Sequence, residues 1–462
     1  MASLADAILE EDVSSIKQLL RYSNELNQID EYGFTPLIEA AIVDNVEISK
    51  LLLSQGADPN LPDVTGGTAL QWAVENNNLA LCELLLAKHA NPNSYNLAGQ
   101  PVLVMPILRH QNELKNLLIH AGADLTFAQD YINTKLLGHM FELVGTASII
   151  DPQNNFVEVD FEGFFLEITL GLIADSVFQF QNHFAARQLR RYSGLAQFIV
   201  QVMLRASQLI KYQQYRVDVT KHQKEINSLM RQEPILIPVG YEGHAITFIR
   251  YGNMWVKCDR REDSRLYDNI MFYRIGNIEN VSTNLLKALI YEKQTSSFIN
   301  NELDILLGLE PITELKVDAQ ISGNCSWANV EAAIPAMFFL VMMEMNKNVS
   351  NMAYYKTLAL NFFTRWREWN KDRALHFCIE SFEKADSIRK ASKAEILAAI
   401  LFERCTSQTA EDRDRMDRIL AVLVKSPYEY ILRNYLRIYY YESNTPQGRQ
   451  FFELLKDRGY LP

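Results

Sequence analysis

The sequence predicts a multidomain protein of the α plus α+β class. An N-terminal α-solenoid is followed by an α+β domain with helical regions on both sides. Three observations predict this class: a 33-residue repeat in the first 130 residues, short apolar segments with strand periodicity from Glu233, and apolar residues three and four apart elsewhere. The indicated boundaries are 1–130, 131–232, 233–346 and 347–462, so the 462 residues hold several domains.

The repeat has a period of 33 residues in three independent positions: Gly33, Gly66 and Gly99; the blocks starting at Gly56, His89 and Gly122; and Thr35-Pro-Leu, Thr68-Ala-Leu and Pro101-Val-Leu. This period, with Thr-Pro-Leu near the start of the unit, resembles ankyrin repeats. Residues 1–130 hold four such units, and the first is degenerate, as expected of a terminal cap. We expect His89 to end its helix in the left-handed conformation that glycine adopts in the neighbouring repeats.

The resemblance to ankyrin repeats implies a protein-binding surface. The variable position of the first helix, which commonly faces the concave side of such arrays, holds Glu39, Trp72 and Met105. An exposed Trp72 would be a binding hot spot, whereas a packed Trp72 would belong to the core. Both readings stay open from the sequence.

Composition and charge limit the classes of partner that the chain is expected to bind. The chain carries a net charge of −11, and residues 1–130 hold 6 basic against 17 acidic side chains. An acidic array attracts basic partners and repels bare nucleic acid, so we expect basic partners and no direct DNA binding; the alternative is a well-solvated surface. The five cysteines lie far apart, which is typical of free thiols in a reducing compartment.

Targeting and cofactor signals are weak in this sequence. The N-terminus lacks a secretory pattern, and the longest apolar run, Ala332 to Met343, is short for a membrane span, so we expect neither a signal peptide nor a transmembrane helix. No nucleotide or zinc motif occurs, and we expect no cofactor and no metal. A monomer is expected.

The segment 131–232 is predicted to be helical, and so is 347–462. A basic stretch within 187–224 is typical either of a solvated helical face or of a contact with a polyanion. It holds one acid, Asp218, and eight basic residues: Arg187, Arg190, Arg191, Arg205, Lys211, Arg216, Lys221 and Lys224.

The region from Glu233 predicts five strands: Pro234 to Gly240, His244 to Tyr251, Met254 to Asp259, Asp268 to Ile275 and Glu314 to Gln320. Gly252-Asn253 favours a tight hairpin, which pairs Tyr251 with Met254. That register places His244 and Asp259 on one sheet face as diagonal neighbours, within reach of each other's side chains. Asp263, diagonal on the other side, is a rival acid.

A cysteine occupies the predicted start of a long apolar helix. Cys325 follows a Gly-containing turn, and a helix N-terminus stabilises a thiolate. Gln320, five residues earlier, is placed to donate a hydrogen bond to a developing oxyanion. The competing interpretation is a buried structural thiol.

The order His244, Asp259, Gln320, Cys325 resembles the adenovirus-protease-like cysteine proteases, a clan that includes ubiquitin-like-protein proteases and Yop-type acetyltransferases. The resemblance implies that Cys325 is the nucleophile, His244 the base, Asp259 the orienting acid and Gln320 the oxyanion donor. The implied activity is a thiol hydrolase acting on peptide or isopeptide bonds. The alternatives are a catalytically silent scaffold and an acyltransferase.

An ankyrin array joined to such a domain resembles the ankyrin-repeat effectors of intracellular bacteria. The resemblance implies synthesis in the bacterial cytoplasm, type IV export into the host cytosol or nucleus, and a host protein partner. A basic RNA-associated protein, such as a La-related protein, exemplifies the implied partner class.

Overall fold

The computed structural model describes residues 3–21, 25–213, 219–261, 269–321, 323–346, 351–425 and 427–460. The chain divides into two compact units. Unit 1 comprises Met1–Lys135, Thr146–Asp160 and Ala385–Lys393; unit 2 comprises Leu136–Gly145, Phe161–Lys384 and Ala394–Pro462. The predicted fold class is confirmed, since a helical solenoid at the N-terminus precedes a helix-rich α+β region.

Unit 1 begins with four consecutive helix pairs. First helices pack on first helices and second on second, which buries one continuous apolar layer. The helices are α1 (Leu4–Leu9), α2 (Val13–Leu19), α3 (Pro36–Ile42), α4 (Val46–Ser54), α5 (Ala69–Glu75), α6 (Leu79–Ala87), α7 (Val104–Leu108) and α8 (Asn112–His120), followed by α9 (Leu125–Met140).

A periodic asparagine joins successive repeats. Asn60 accepts a hydrogen bond from the Asn91 backbone N–H at 2.7 Å and donates to the His89 carbonyl at 3.0 Å. The same two bonds recur one repeat earlier and one later, from Asn27 to Gly56 and Asp58 and from Asn93 to Gly122 and Asp124. His89 has φ +66°, so the expected left-handed helix end is confirmed.

The segment 131–232 is not helical throughout, which corrects the prediction. Strands β1 (Thr146–Ile150) and β2 (Phe156–Asp160) form an antiparallel hairpin, and both belong to unit 1. Its turn is fixed by Asp151, whose carboxylate accepts the N–H groups of Gln153 and Asn155. The residues of β2 alternate between exposed and buried positions, which is the periodicity of a strand and not of a helix.

Unit 2 contains a five-stranded antiparallel sheet in sequential order. Its strands are β3 (Ile235–Tyr241), β4 (His244–Tyr251), β5 (Met254–Cys258), β6 (Ile270–Ile275) and β7 (Leu309–Leu315).

Tyr251 pairs with Met254, so the predicted hairpin register is confirmed. The predicted fifth strand, 314–320, is wrong: the strand starts directly after Gly308, whose φ of +58° ends the preceding helix, and it stops at Leu315. Asp268, the predicted start of the fourth strand, lies outside the described residues.

The helices after β2 are α10 (Leu166–Asn182), α11 (Ser193–Ile210), α12 (Gln223–Met230), α13 (Thr283–Tyr291), α14 (Leu303–Leu307), α15 (Cys325–Asn346), α16 (Met352–Lys384), α17 (Ser387–Arg404), α18 (Ala410–Leu423), α19 (Glu429–Tyr435) and α20 (Pro446–Asp457); all lie in unit 2 except the start of α17. Helix α15 packs against β4 and β5 and also contacts α10, α11 and α16. It is therefore the central helix of unit 2.

Helix α15 is also the one helix among the described residues that is long and apolar enough to cross a membrane. Within Cys325–Met345, however, 83% of the apolar window is buried inside the protein. The apolar sequence of this helix accounts for its place in the core.

Candidate active site

Helix α15 begins at Cys325, at the end of a loop held by its neighbours. Gly323 has φ +84°, and its carbonyl accepts the Gly163 N–H at 3.2 Å. The side chain of Asn324 contacts His139 Nδ1 at 2.6 Å, and the His139 ring stacks on Trp327. These contacts fix the first turn of the helix, which carries the cysteine.

His244 and Asp259 meet on the adjoining strands. His244 Nε2 lies 2.9 Å from Asp259 Oδ1, as the diagonal placement in the predicted register requires. Both side chains are largely shielded, with 14% and 13% of their surfaces exposed. Asp263, the rival acid, lies outside the described residues.

The Cys325 thiol completes a row of three interacting side chains. Its pKa is lowered by an interaction with the His244 side chain, so the two residues are close enough to influence each other. Nε2 of His244 is engaged by Asp259, which leaves Nδ1 as the ring nitrogen available to the sulfur. A ring nitrogen between a thiol and a carboxylate is the arrangement that activates a sulfur nucleophile.

The electrostatics of this row favour charge separation. Burial opposes ionisation of Cys325, but hydrogen bonds from His244 and from the Ala245 and Ser326 backbone hold the thiol pKa below its ordinary value. Burial likewise disfavours the imidazolium, yet the hydrogen bonds to Asp259 and Cys325 raise the pKa of His244. The arrangement therefore stabilises a thiolate beside an imidazolium.

The other cysteines with a resolved shift behave in the opposite way. Burial raises the pKa of Cys82 and of Cys405 to about 12, and it raises the pKa of Cys258 as well. Cys325 is half-buried, whereas the other four thiols are buried. Reactive thiolate character is therefore expected at Cys325 and not at these three cysteines.

A second residue holds the far side of Asp259. Burial raises the pKa of this carboxyl group, but the hydrogen bonds from His244 and Arg261 outweigh it and lower the pKa. Arg261 reaches Asp259 Oδ2 through Nη2 at 3.0 Å and Nε at 3.2 Å. The same Nη2 donates to the Tyr241 hydroxyl at 3.1 Å, and the Tyr241 ring packs edge-on against His244.

Gln320 is connected to this row through the backbone. Its N–H donates to the Arg260 carbonyl at 2.7 Å, one residue after Asp259. Its side-chain Oε1 is buried and has no hydrogen-bond partner among the described residues. The NH₂ group of such an amide carries the two donors that an oxyanion requires.

Behind the row lies a buried cluster of opposite charges. Arg260 is fully buried and pairs with Glu142 at 2.9 Å and with Glu331 at 3.7 Å. Arg367 contacts the same two carboxylates, at 3.0 and 3.3 Å. Paired charges of this kind are tolerated in a core only while every member is present.

Sequence reasoning missed four residues at this site: Tyr241, Arg260, Arg261 and Asn329. For Asn329 a signal was available, because an amide four residues after Cys325 interrupts an otherwise apolar helix face. For the others, only the folded chain shows which partners they meet.

The predicted protein-binding residues of the array differ in exposure. Glu39 and Met105 are buried, with 3% and 1% of their surfaces accessible, and their part in protein binding stays a prediction. They lie on the stacked first helices α3 and α7, where neighbouring helices cover them. Trp72 is half-buried: its indole N–H donates to Asp63 Oδ2 at 2.9 Å, and its ring packs edge-on against Phe34.

The basic segment 187–224 is only partly available to a ligand. Arg187, Arg190 and Arg191 are exposed, whereas Lys211 lies 3.6 Å from Glu225. Arg216 and Asp218 lie outside the described residues. Lys221 and Lys224 are exposed as well, and the contact of the segment 187–224 with a polyanion stays a prediction.

Comparisons with known proteins agree with this architecture. The family profile for ankyrin repeats matches residues 4–96 in three copies. No curated protein sequence matches the chain. A solved structure described as that of the Legionella effector AnkH is 38% identical to this chain, with a TM-score of 0.87, and the match covers 100% of this chain and 98% of that one. The chain therefore belongs to the family of ankyrin-repeat effectors that includes Legionella AnkH.

Proposed function

We propose that the protein is an effector whose ankyrin array binds a host protein and whose unit 2 is a thiol hydrolase. The nucleophile is Cys325, the base is His244, the orienting acid is Asp259 and the oxyanion donor is Gln320. The observation that carries this proposal is the contact of His244 with Asp259 at 2.9 Å, together with the influence of His244 on Cys325, whose pKa is lowered despite burial.

The reaction on a peptide or isopeptide bond follows from this geometry. The thiolate of Cys325 attacks the carbonyl carbon, and the Gln320 amide NH₂ stabilises the resulting oxyanion. The C–N bond breaks as the His244 imidazolium gives its proton to the leaving amine. Water, deprotonated by His244, then cleaves the thioester, releasing the acid and regenerating the Cys325 thiol.

The experiment that tests this chemistry is alkylation of Cys325 by iodoacetamide, followed by peptide mass spectrometry across a pH range. We expect a midpoint below the free-thiol value of about 8.5 and slower reaction at neutral pH in His244→Ala. The buried Cys82, Cys258 and Cys405 serve as internal controls. A slow thiol with an ordinary midpoint, unaffected by His244→Ala, would contradict the assignment.

The acceptor chemistry is resolved by two further reagents. Covalent capture of Cys325 by a ubiquitin-like suicide probe supports a hydrolase of ubiquitin-like conjugates. Auto-acetylation by acetyl-CoA points to the acyltransferase instead, because the two reactions share the acyl-enzyme and differ in the acceptor. A shifted, His244-dependent thiol that reacts with neither reagent favours the silent scaffold or a different acyl substrate.

The partner-binding part of the proposal rests on the acidic character of the array and on Trp72. We propose export into the host cell by a type IV system and binding of a basic host protein. Trp72→Ala should reduce recovery of that protein from host extract while the array stays folded, with no more than a modest loss of thermal stability. Reduced stability with unchanged recovery would assign Trp72 to the core.

A further inference from the structure

We propose that Asn329 is a positioning residue, which sets the geometry between Cys325 and the His244–Asp259 pair; the inference rests on the proposed function. Asn329 lies on α15 four residues after Cys325, hence on the same helix face and one turn along. Only 1% of its surface is exposed. An amide in a core position requires partners for both its donor and its acceptor.

Both partners of Asn329 are backbone groups next to the proposed triad. Its Nδ2 donates to the carbonyl of Ala245, the residue after His244, at 2.6 Å. Its Oδ1 accepts the N–H of Arg260, the residue after Asp259, at 2.7 Å. One side chain on the cysteine helix therefore holds the two strand ends that carry the imidazole and the carboxylate.

The strand register explains why an amide is required at this point. The β4–β5 pairing runs from Tyr251–Met254 to Thr247–Cys258. Two further steps in the same register would place Ala245 opposite Arg260. The Asn329 amide bonds to the carbonyl of one and the N–H of the other, so it replaces a direct strand-to-strand bond with a longer bridge.

The bridge has a consequence for the reacting atoms. Ala245, whose carbonyl accepts the hydrogen bond of Asn329, is also one of the backbone groups that lower the pKa of Cys325. Arg260, whose N–H donates to Asn329, accepts the Gln320 N–H with its own carbonyl. Asn329 thus fixes the spacing of sulfur, imidazole, carboxylate and the proposed oxyanion donor without touching a substrate.

The test uses the full chain and the pH dependence of Cys325 alkylation, which a purely structural residue would not alter. We expect Asn329→Ala to move the midpoint upward, so that the rate near neutral pH falls about tenfold. Asn329→Ser should do the same, because a hydroxyl is too short to hold both strands, and it is used if the alanine variant does not fold.

The matched control is Asn370→Ala, which removes another buried asparagine from unit 2. Asn370 lies on α16 and accepts a hydrogen bond from Arg373 at 2.9 Å. We expect lower thermal stability in this variant and an unchanged alkylation profile. That result would show that loss of a buried amide alone does not move the thiol midpoint.

Two outcomes separate the inference from the function on which it rests. If wild-type alkylation is shifted and depends on His244, but the folded Asn329 variants match the wild-type profile, the positioning role is wrong and the proposed function stands. If His244→Ala also leaves the profile unchanged, both fail.

Discussion

The array and the candidate active site both contain asparagine side chains that bridge two backbone groups, but the bridge is repeated in the array and occurs once at the site. In unit 1, Asn27, Asn60 and Asn93 each bridge a carbonyl and an N–H of the next repeat, and the pattern recurs every 33 residues. In unit 2, Asn329 makes the same pair of bonds once, to backbone groups 84 and 69 residues away in the chain. Repetition spreads the stability of the array over many equivalent contacts, whereas the site depends on single contacts that have no substitute.

The largest effect is therefore expected at the buried charge cluster of unit 2. Arg260→Met removes one of the two arginines that pair with Glu142 and Glu331, which leaves two buried carboxylates to one buried arginine, and should lower the free energy of unfolding by about 3–5 kcal/mol. Arg437→Met, which breaks an exposed pair with Glu442, should cost about 0–1 kcal/mol. Chemical denaturation monitored by circular dichroism measures both, and equal losses would contradict the dependence on single contacts.

The two bridging asparagines allow the most direct comparison. Asn329→Ala leaves two backbone groups in the core without partners and should cost about 2–4 kcal/mol. Asn60→Ala frees backbone groups that water can reach, so about 1 kcal/mol is expected. The same denaturation experiment, applied to both variants, would reject the comparison if Asn60→Ala were the more damaging.

These differences explain which parts of the fold and of the candidate site can be predicted from the sequence. The array follows from local rules, since Gly33, Gly66 and Gly99 repeat within a fixed window. The approach of His244 to Asp259 follows from a tight turn, because one hairpin register places both residues. The two partners of Asn329 could not be predicted, because they depend on how a helix packs against a distant strand pair.

The errors have physical causes as well. The apolar spacing in 131–232 predicts helices, but the β1–β2 hairpin lies in this segment and Phe156–Asp160 alternates between buried and exposed positions. The repeat position of Glu39 and Met105 does not predict their burial, which results from the stacking of the first helices. The residue pattern gives the position in the repeat and not the exposure at that position.

The His244–Asp259 pair should add a pH-dependent contribution to stability. The raised pKa of His244 means that its contribution is present below 6.5 and is lost as pH rises through the folded-state value. The lowered pKa of Asp259 means that its contribution is present above 3.8 and is lost as pH falls through the folded-state value. The stabilisation of wild type over His244→Gln should therefore be largest between 3.8 and 6.5.

Thermal melts of wild type and His244→Gln at several pH values measure that difference. If the difference in stability between wild type and His244→Gln stays constant into the alkaline range, the imidazole is uncharged in the folded protein. Asp63→Asn in the array is the control, because its partners, Thr65, Gly67 and Trp72, do not titrate in this range.

A small effect is also expected at Trp72. Trp72→Phe removes the hydrogen bond to Asp63 but keeps most of the ring, and Asp63 retains its bonds to Thr65 and Gly67. A loss of about 0.5–1.5 kcal/mol is expected from equilibrium unfolding. A larger loss would show that this repeat lacks the redundancy attributed to the array.

The central claim is that Cys325 is held as a thiolate by His244. The difference in ultraviolet absorbance between wild type and Cys325→Ser, followed as a function of pH, measures that thiolate directly. We expect the thiolate signal to appear below the free-thiol pKa of about 8.5 and to move upward in His244→Ala. A signal that first appears at or above the free-thiol value in wild type, with no change in His244→Ala, would contradict the claim.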